Sequence, residues 1–395
     1  MTGSELHAGH RVGSAGFNRL QLAMAGAALA AFALLYCTQP LLPEIGHDLG
    51  ASPALASLSV SATTGALALA ILPLSSLAES FGRVRLMQAG LASACGLVLL
   101  SALSPNLGVL LLLRALTGVA LAAVVAVAMG HVGDEVHPSS LGSAMGVYVA
   151  GNTLGGVGGR LLAAAAGDAG GWRVGIVAVG ILGLAASALF SLRVPPPVRF
   201  SPVPLRWRNL TAGLRSHLAD PGIVRLCVVA FLLMGGFVAV YNYLSFRLSA
   251  APFGLSQGVI GLFFLAYLAG TVSSTAAGRV ADRIGPRRAI LLSITIMACG
   301  LALTLPTSVP FVVSGLVVFT AGFFGAHAVA SGWVARRAST ARAQASALYL
   351  LAYYAGSSVL GAMTGLAYSA GGWTATAGVV GCCLILGGAL AASVK

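Results

Sequence analysis

The sequence predicts an all-α integral membrane protein: twelve transmembrane helices in two pseudo-symmetric six-helix bundles. Three observations carry this. Of the 395 residues, 58% are apolar and 8% are charged, against about 25% charged in soluble domains. Twelve apolar segments approach the roughly 20 residues that a bilayer core demands, where every backbone amide must be bonded without water. A short signature also recurs, LAESFGRVR at Leu77–Arg85 and VADRIGPRR at Val280–Arg288. Each is followed by GGW, at Gly170–Trp172 and Gly371–Trp373.

The segments lie near residues 20–42, 54–77, 86–104, 107–131, 141–165, 174–192, 223–246, 257–278, 288–306, 310–334, 343–369 and 374–392. The first is too long for a signal-peptide core and reads as a retained helix. The clear break at residues 193–222 divides the chain into an N-terminal bundle, 1–192, a cytoplasmic linker, 193–222, and a C-terminal bundle, 223–395. Pro195, Pro196 and Pro197 stop the sixth helix. Trp207, Leu210, Leu214 and Leu218 then recur at helical spacing, with Arg206, Arg208 and Arg215 off that stripe. This predicts an amphipathic helix lying on the inner leaflet.

The repeat holds under a nearly fixed shift. Adding 201 carries Tyr148 to Tyr349, Gly155 to Gly356 and Trp172 to Trp373. Near the signature, adding 203 carries Glu79 to Asp282 and Gly82 to Gly285. Parallel duplication of six-helix halves is a transporter pattern.

A net charge of +13 could indicate nucleic acid, but its placement indicates topology instead. Arg173 and Arg247 fall in outer turns, and Arg114 and Arg160 within spans. The remaining basic residues lie in turns, termini and linker on one side. The positive-inside rule then puts both termini in the cytoplasm of a bacterial inner membrane. The six cysteines lie in apolar segments without a CxxC pair and read as small buried side chains.

In the signature turns, carboxylates and arginines surround glycines at helix ends. Glu79, Gly82 and Arg83 in the first, with Gly278, Asp282, Arg283, Gly285, Arg287 and Arg288 in the second, are candidate gating residues. Their charge-assisted hydrogen bonds could form when a gate closes and break when it opens. In the fifth segment Tyr148, Asn152, Gly156 and Arg160 recur every fourth residue and line one face. Their repeats in the eleventh are Tyr349, Tyr353, Ser357 and Gly361. With Tyr36 and Gln39 from the first segment, Arg114 from the fourth, and Tyr241, Asn242 and Tyr243 from the seventh, they are candidates to line a central substrate cavity. Gln39 and Asn242 correspond under the 203 shift. Arg114, His327 and Glu44 are candidates for proton coupling, with His131 beside them.

GRVADRIGPRR at 278–288 resembles the loop signature of the major facilitator superfamily, GxxxDRxGRR. Residues 75–85 match it more loosely, with Ser75 for glycine, Glu79 for aspartate and Ser80 for the basic residue. Arg114 with Gly118 is similar to the family's RxxxG motif, which implies proton coupling for the arginine. Gly151–Arg160 resembles GxxxGPxxGG of the drug/sugar–proton antiporter (efflux) branch, with Gly156 for the proline and Arg160 for the last glycine. The resemblance covers essentially the whole chain. It implies the major facilitator fold, a cavity lined by helices 1, 4, 5, 7, 10 and 11, and export by proton antiport with the proton gradient as energy source and no cofactor. The runner-up is proton-coupled uptake of a small metabolite.

No aspartate or glutamate falls deep in a segment, so a neutral or anionic solute such as a sugar or organic acid fits better than a cation. The expected partners are the lipid bilayer, the solute and protons, with a monomer as the working unit and no nucleic acid. Lys395, the one lysine, leaves no phosphate loop. GLSQG at Gly254–Gly258 fits the hydrolase elbow only in letters, because Pro252 and Phe253 precede it where a strand is required. An enzyme is therefore not expected.

Overall fold

In the computed structural model, residues 9–197, 214–338 and 342–394 are described. Trp207 and Leu210 of the expected amphipathic stripe lie outside them, and residues 214–218 are helical. Among the described residues the chain forms twelve long helices. They are α1, Ala15–Leu35, resumed as Leu42–Asp48; α2, Pro53–Phe81; α3, Arg83–Ser101; α4, Leu107–Val125, resumed as Ala128–Glu135; α5, Leu141–Gly170; α6, Trp172–Arg193; α7, Pro221–Ser249; α8, Gln257–Ile284; α9, Pro286–Leu303; α10, Val309–Arg337; and α11 and α12, the two arms of Arg342–Ser393 on either side of Gly371 and Gly372. Ten helical stretches are long and apolar enough to cross a membrane, one of them holding both α11 and α12. The remaining helix, α5, is rich in glycine.

The sequence places these helices correctly but misses their breaks. Pro40 and Pro43 lack N–H donors, so α1 stops at Leu35 and resumes through a 3₁₀ turn at Gln39–Leu41. α8 passes through a 3₁₀ segment at Phe263–Tyr267. The two signature turns shrink to single glycines, Gly82 at φ 98° and Gly285 at φ 86°, a region that other residues enter only under strain. Side chains cap several helix starts: Ser14 accepts from Phe17 N–H at 3.2 Å and Asn106 from Val109 N–H at 3.0 Å.

Close packing comes from small residues, as it must where lipid removes the hydrophobic drive between helices. A Cβ on Gly155 would collide with the Leu29 carbonyl of α1. A Cβ on its repeat, Gly356, would collide with the Phe231 carbonyl of α7. Each half therefore packs its glycine-bearing helix on its own first helix.

The molecule has two ends. The terminal end carries the first and last described residues and the signature turns; there the Gly9–Ser14 strap pairs with the α4–α5 turn through His10 N–H to Glu135 O, 2.8 Å, and His137 N–H to His10 O, 3.0 Å. At the distal end Trp172 donates to Asp48 at 2.9 Å, Arg173 pairs with Asp48, and Arg247 caps the carbonyls of Thr304, Leu305 and Pro306. Hydrogen bonds between described residues of the two halves all lie in the half of the molecule toward this distal end. They include Ser57 to Tyr243 at 2.8 Å, Ser358 to Ser61 O at 2.7 Å and Ser256 to Asp168 at 3.1 Å.

Candidate functional site

The break in α1 organises the site. Ending a helix inside a membrane orphans its last carbonyls where no water can reach them. Arg114 of α4 supplies the donors: Nη1 to Leu34 O at 3.1 Å, Nη2 to Leu35 O at 2.6 Å and Nε to Ser59 O at 3.4 Å. Nη1 also lies 3.4 Å from the Cys37 sulfur. The side chain is fully buried. It holds the break open and ties α4 to α1 and α2.

The unwound stretch presents Tyr36 and Gln39 toward α5, α7 and α8. Arg160 Nε donates to Gln39 Oε1 at 2.7 Å, and Gln39 Nε2 donates to Asn242 Oδ1 at 2.8 Å. Arg160 Nη1 returns to Gly156 O at 2.6 Å, and Nη2 lies 3.4 Å from the Tyr267 hydroxyl. The guanidinium carbon sits over Tyr36 at 4.4 Å, Tyr267 at 4.7 Å and Phe264 at 5.3 Å. A buried guanidinium thus gains aromatic faces and neutral acceptors but no carboxylate, leaving its charge available to an anion. Gln39 and Asn242 are repeats of one another, and equivalent residues that touch must lie on the pseudo-two-fold axis between the halves.

The C-terminal wall is aromatic. Tyr241 bonds Thr320 at 2.7 Å, and Phe237 stacks on Phe323 at 3.9 Å. His327 Nδ1 lies 3.0 Å from the Tyr349 hydroxyl, with the Tyr353 ring at 4.6 Å. Tyr267, His327 and Tyr353 are half-buried.

The structure brings Tyr36, Gln39, Arg160 and Asn242 into one network, with Tyr241 against its Tyr267 edge. Tyr349 and Tyr353 gather round His327. Tyr148 is buried in α5 one turn from Asn152, with which it shares a side-chain hydrogen bond. Arg114 belongs to the helix break. Glu44 stands apart at the distal rim beside Gly171, near the Trp172 N–H and the Gln257 side chain.

The gating residues divide. Arg83 pairs with Glu79 at 2.7 Å and with Asp134 at the end of α4, and His131 lies buried beside them. Asp282, Arg283, Arg287 and Arg288 are exposed and form no ion pair among the described residues. Gly278 is open. At the matching end of α10, Arg337 pairs instead with Asp220 at 2.8 Å.

Sequence reasoning missed Phe264, Tyr267, Ser57 and Ser61. The signal was present: under the 203 shift, Ser61 and Phe264 are repeats, as are Thr64 and Tyr267. Polar residues recurring on one face of α2 mark the face that the α8 aromatics share.

The Major Facilitator Superfamily model matches residues 24–266 and 248–394. The MFS-type transporter YybF of Bacillus subtilis is 39% identical over 389 residues, covering 98% of this chain and 96% of its own. The inner membrane transport protein YnfM of Escherichia coli is 40% identical over 374 residues, covering 95% and 90%. The crystal structure of the peptide transporter POT shares the fold at a TM-score of 0.77 and 14% identity, over 99% of this chain and 97% of that one. With twelve helices in two repeated bundles and relatives matched along nearly its whole length, the chain belongs to the Major Facilitator Superfamily and is a membrane transporter of that type.

Proposed function

We propose that the chain exports a small neutral or anionic solute by proton antiport, as a monomer in the bacterial inner membrane with both termini in the cytoplasm. One observation carries the substrate class. The buried ionised groups deep in the spans are Arg114 and Arg160. The described acidic residues, Glu44, Asp48, Glu79, Asp134, Glu135, Asp168, Asp220 and Asp282, lie at helix ends or in turns. Desolvating a cation beside Arg160 would be costly, whereas an anion would relieve the guanidinium.

Alternating access follows from where the halves touch. With the terminal end cytoplasmic, the contacts of Ser57, Ser61 and Asp168 with Tyr243, Ser358 and Ser256 close the outer face, and the solute enters from the cytoplasm. Release requires these contacts to part and the terminal end to close. The exposed Asp282 and Arg283 then find partners, as Arg83 already has with Asp134. His327, half-buried and bonded to Tyr349, carries the proton in this reading; Arg114 holds the break in α1.

Export is supported by the glycine stripe of α5 and its likeness to the efflux-branch motif. Proteoliposomes with an imposed pH gradient test the direction. Antiport predicts solute flux opposite to the proton flux. Solute moving together with protons establishes the uptake reading instead.

A further inference from the structure

Away from the central network, an open groove of about 500 Å³ lies between α8 and α10, toward the distal end. Val259, Leu262 and Ala269 form one wall, and Val309, Val313 and Val317 the other. Every lining side chain is apolar. Most of these six are exposed, and apolar side chains exposed on spanning helices face lipid.

The break in α8 shapes the groove. The Phe263–Tyr267 segment is 3₁₀, where residues three apart eclipse one another. Phe263 and Ala266 therefore share one face and floor the groove. Phe264 and Tyr267 share the next and cover Arg160, at 5.3 and 4.7 Å from its guanidinium carbon. Leu262 and Leu265 share the third, which is exposed. Toward the terminal end the two helices meet, since a Cβ on Gly270 would lie 2.4 Å from Phe324 Cδ2. Beyond that contact they splay. The repeat of α8 is α2, which runs unbroken from Pro53 to Phe81 and has no such segment.

Size and position select the occupant. The wall from Val259 to Ala269 spans about 15 Å at 1.5 Å per residue. That is the depth of one leaflet in a hydrocarbon core about 30 Å thick. No polar side chain lines the groove to orient a water-soluble solute. Arg247 stands at the distal mouth. It donates to Leu305 O at 2.9 Å and Pro306 O at 3.0 Å, just before Val309, and lies over Phe253 at 5.2 Å, just before α8. Its partners among the described residues are carbonyls and rings, with no carboxylate. A guanidinium carries five N–H donors, so some remain for a phosphate oxygen. Trp373, 5.1 Å from Arg247, is a residue type that favours the headgroup level.

We infer that the α8–α10 groove binds one phospholipid of the distal leaflet, with an acyl chain along Phe263 and Ala266 and the headgroup phosphate at Arg247. The site goes beyond the export reading and holds for either direction of flux. A seated chain braces from behind the segment whose other face, Phe264 and Tyr267, walls the central network.

The test uses the full chain in detergent and native mass spectrometry to count bound lipid. Dioleoyl phosphatidylglycerol is the probe and dioleoylglycerol its phosphate-free counterpart. One phosphatidylglycerol binds saturably, about tenfold more tightly than dioleoylglycerol. Val313→Phe and Ala269→Phe fill the groove from positions outside the buried core. Each raises Kd about tenfold, the loss of roughly two buried methylene groups. Ile385→Phe adds bulk to an exposed face of α12 and leaves Kd unchanged. Arg247→Gln abolishes the preference over dioleoylglycerol. Because Arg247 also caps a turn, the two groove variants suffice alone to decide the chain site. Absence of saturable lipid overturns the inference. So does an unchanged Kd in both groove variants, or equal weakening by Ile385→Phe, as an unspecific lipid annulus would give. A dimer in the same spectra that Val313→Phe disperses gives the groove to a second copy and also overturns it. An unchanged preference in folded Arg247→Gln overturns the headgroup contact.

Discussion

The two crossings that hold the halves together, α5 on α8 and α2 on α11, are repeats of each other and have been filled in opposite ways. In the first, Arg160 reaches across to Tyr267 and Phe264. In the second the helices close on small residues. A Cβ on Gly365 would lie 2.6 Å from Ala54 Cα, one on Gly65 would lie 2.6 Å from Ser358 Oγ, and Ser358 bonds the Ser61 carbonyl. A duplicated backbone fixes where the halves meet, and the side chains are then free to diverge. One crossing has become the charged wall of the site and the other its tight seam.

The strongest way to break the seam is Gly365→Val, which drives a branched side chain into Ala54 and the Tyr243 hydroxyl. It costs about 3 kcal/mol of stability, read as a fall in the thermal midpoint of the purified protein. A midpoint equal to wild type removes the seam from the account. Arg160→Ala empties the other crossing. Transport falls roughly 100-fold, the scale of lost hydrogen bonds to a charge, while the thermal midpoint moves less than for Gly365→Val. Arg160→Lys recovers part of the rate, because the charge returns without the guanidinium fork; equal losses in both variants assign Arg160 to packing.

Asp282→Asn has a smaller effect, about tenfold in turnover with unchanged protein level, because Asp282 has no ion pair among the described residues in this state and acts when the terminal end closes. An unchanged transport rate removes its gating role. Ser358→Ala trims one hydrogen bond from the seam, about 1 kcal/mol, and speeds opening of the distal end, measured as faster labelling of a cysteine placed at Ala54. The smallest effect comes from Asp220. Burial alone would raise its carboxyl, but hydrogen bonds from Arg337 and Gly222 N–H outweigh this and hold it below the usual carboxylate range. The pair's contribution is therefore complete above the ordinary aspartate pKa and fades only as pH falls through the lowered one. Asp220→Asn costs less than about 1 kcal/mol at this part-exposed site, and the loss is constant between about pH 6 and 8.

Much of this architecture was legible in the sequence. Hydropathy and the repeated signature gave twelve helices and two halves, and the 203 shift paired Gln39 with Asn242 before any contact was visible. The partners of Arg114 were not legible, because backbone carbonyls leave no letter in a sequence. Pro40 and Pro43 were the available sign that α1 would break and need them. The gates differ in a way the signature does not encode. The sharper signature at 278–288 forms no ion pair among the described residues, while the looser one at 75–85 finds Asp134, which lies 51 positions beyond Arg83 and within reach only once α4 has folded back. Phe264 and Tyr267 do not stand out in the sequence as cavity residues, because a helix face is assigned by its neighbours.

The amide pair at Gln39 and Asn242 has one more implication. A side chain meeting its own copy across a two-fold has to be its own complement. Two carboxylates or two ammonium groups would repel there, and two aliphatic groups would fix no direction. An amide carries donor and acceptor on one group, so it can clasp its twin when the halves are identical and still hold as they grow apart.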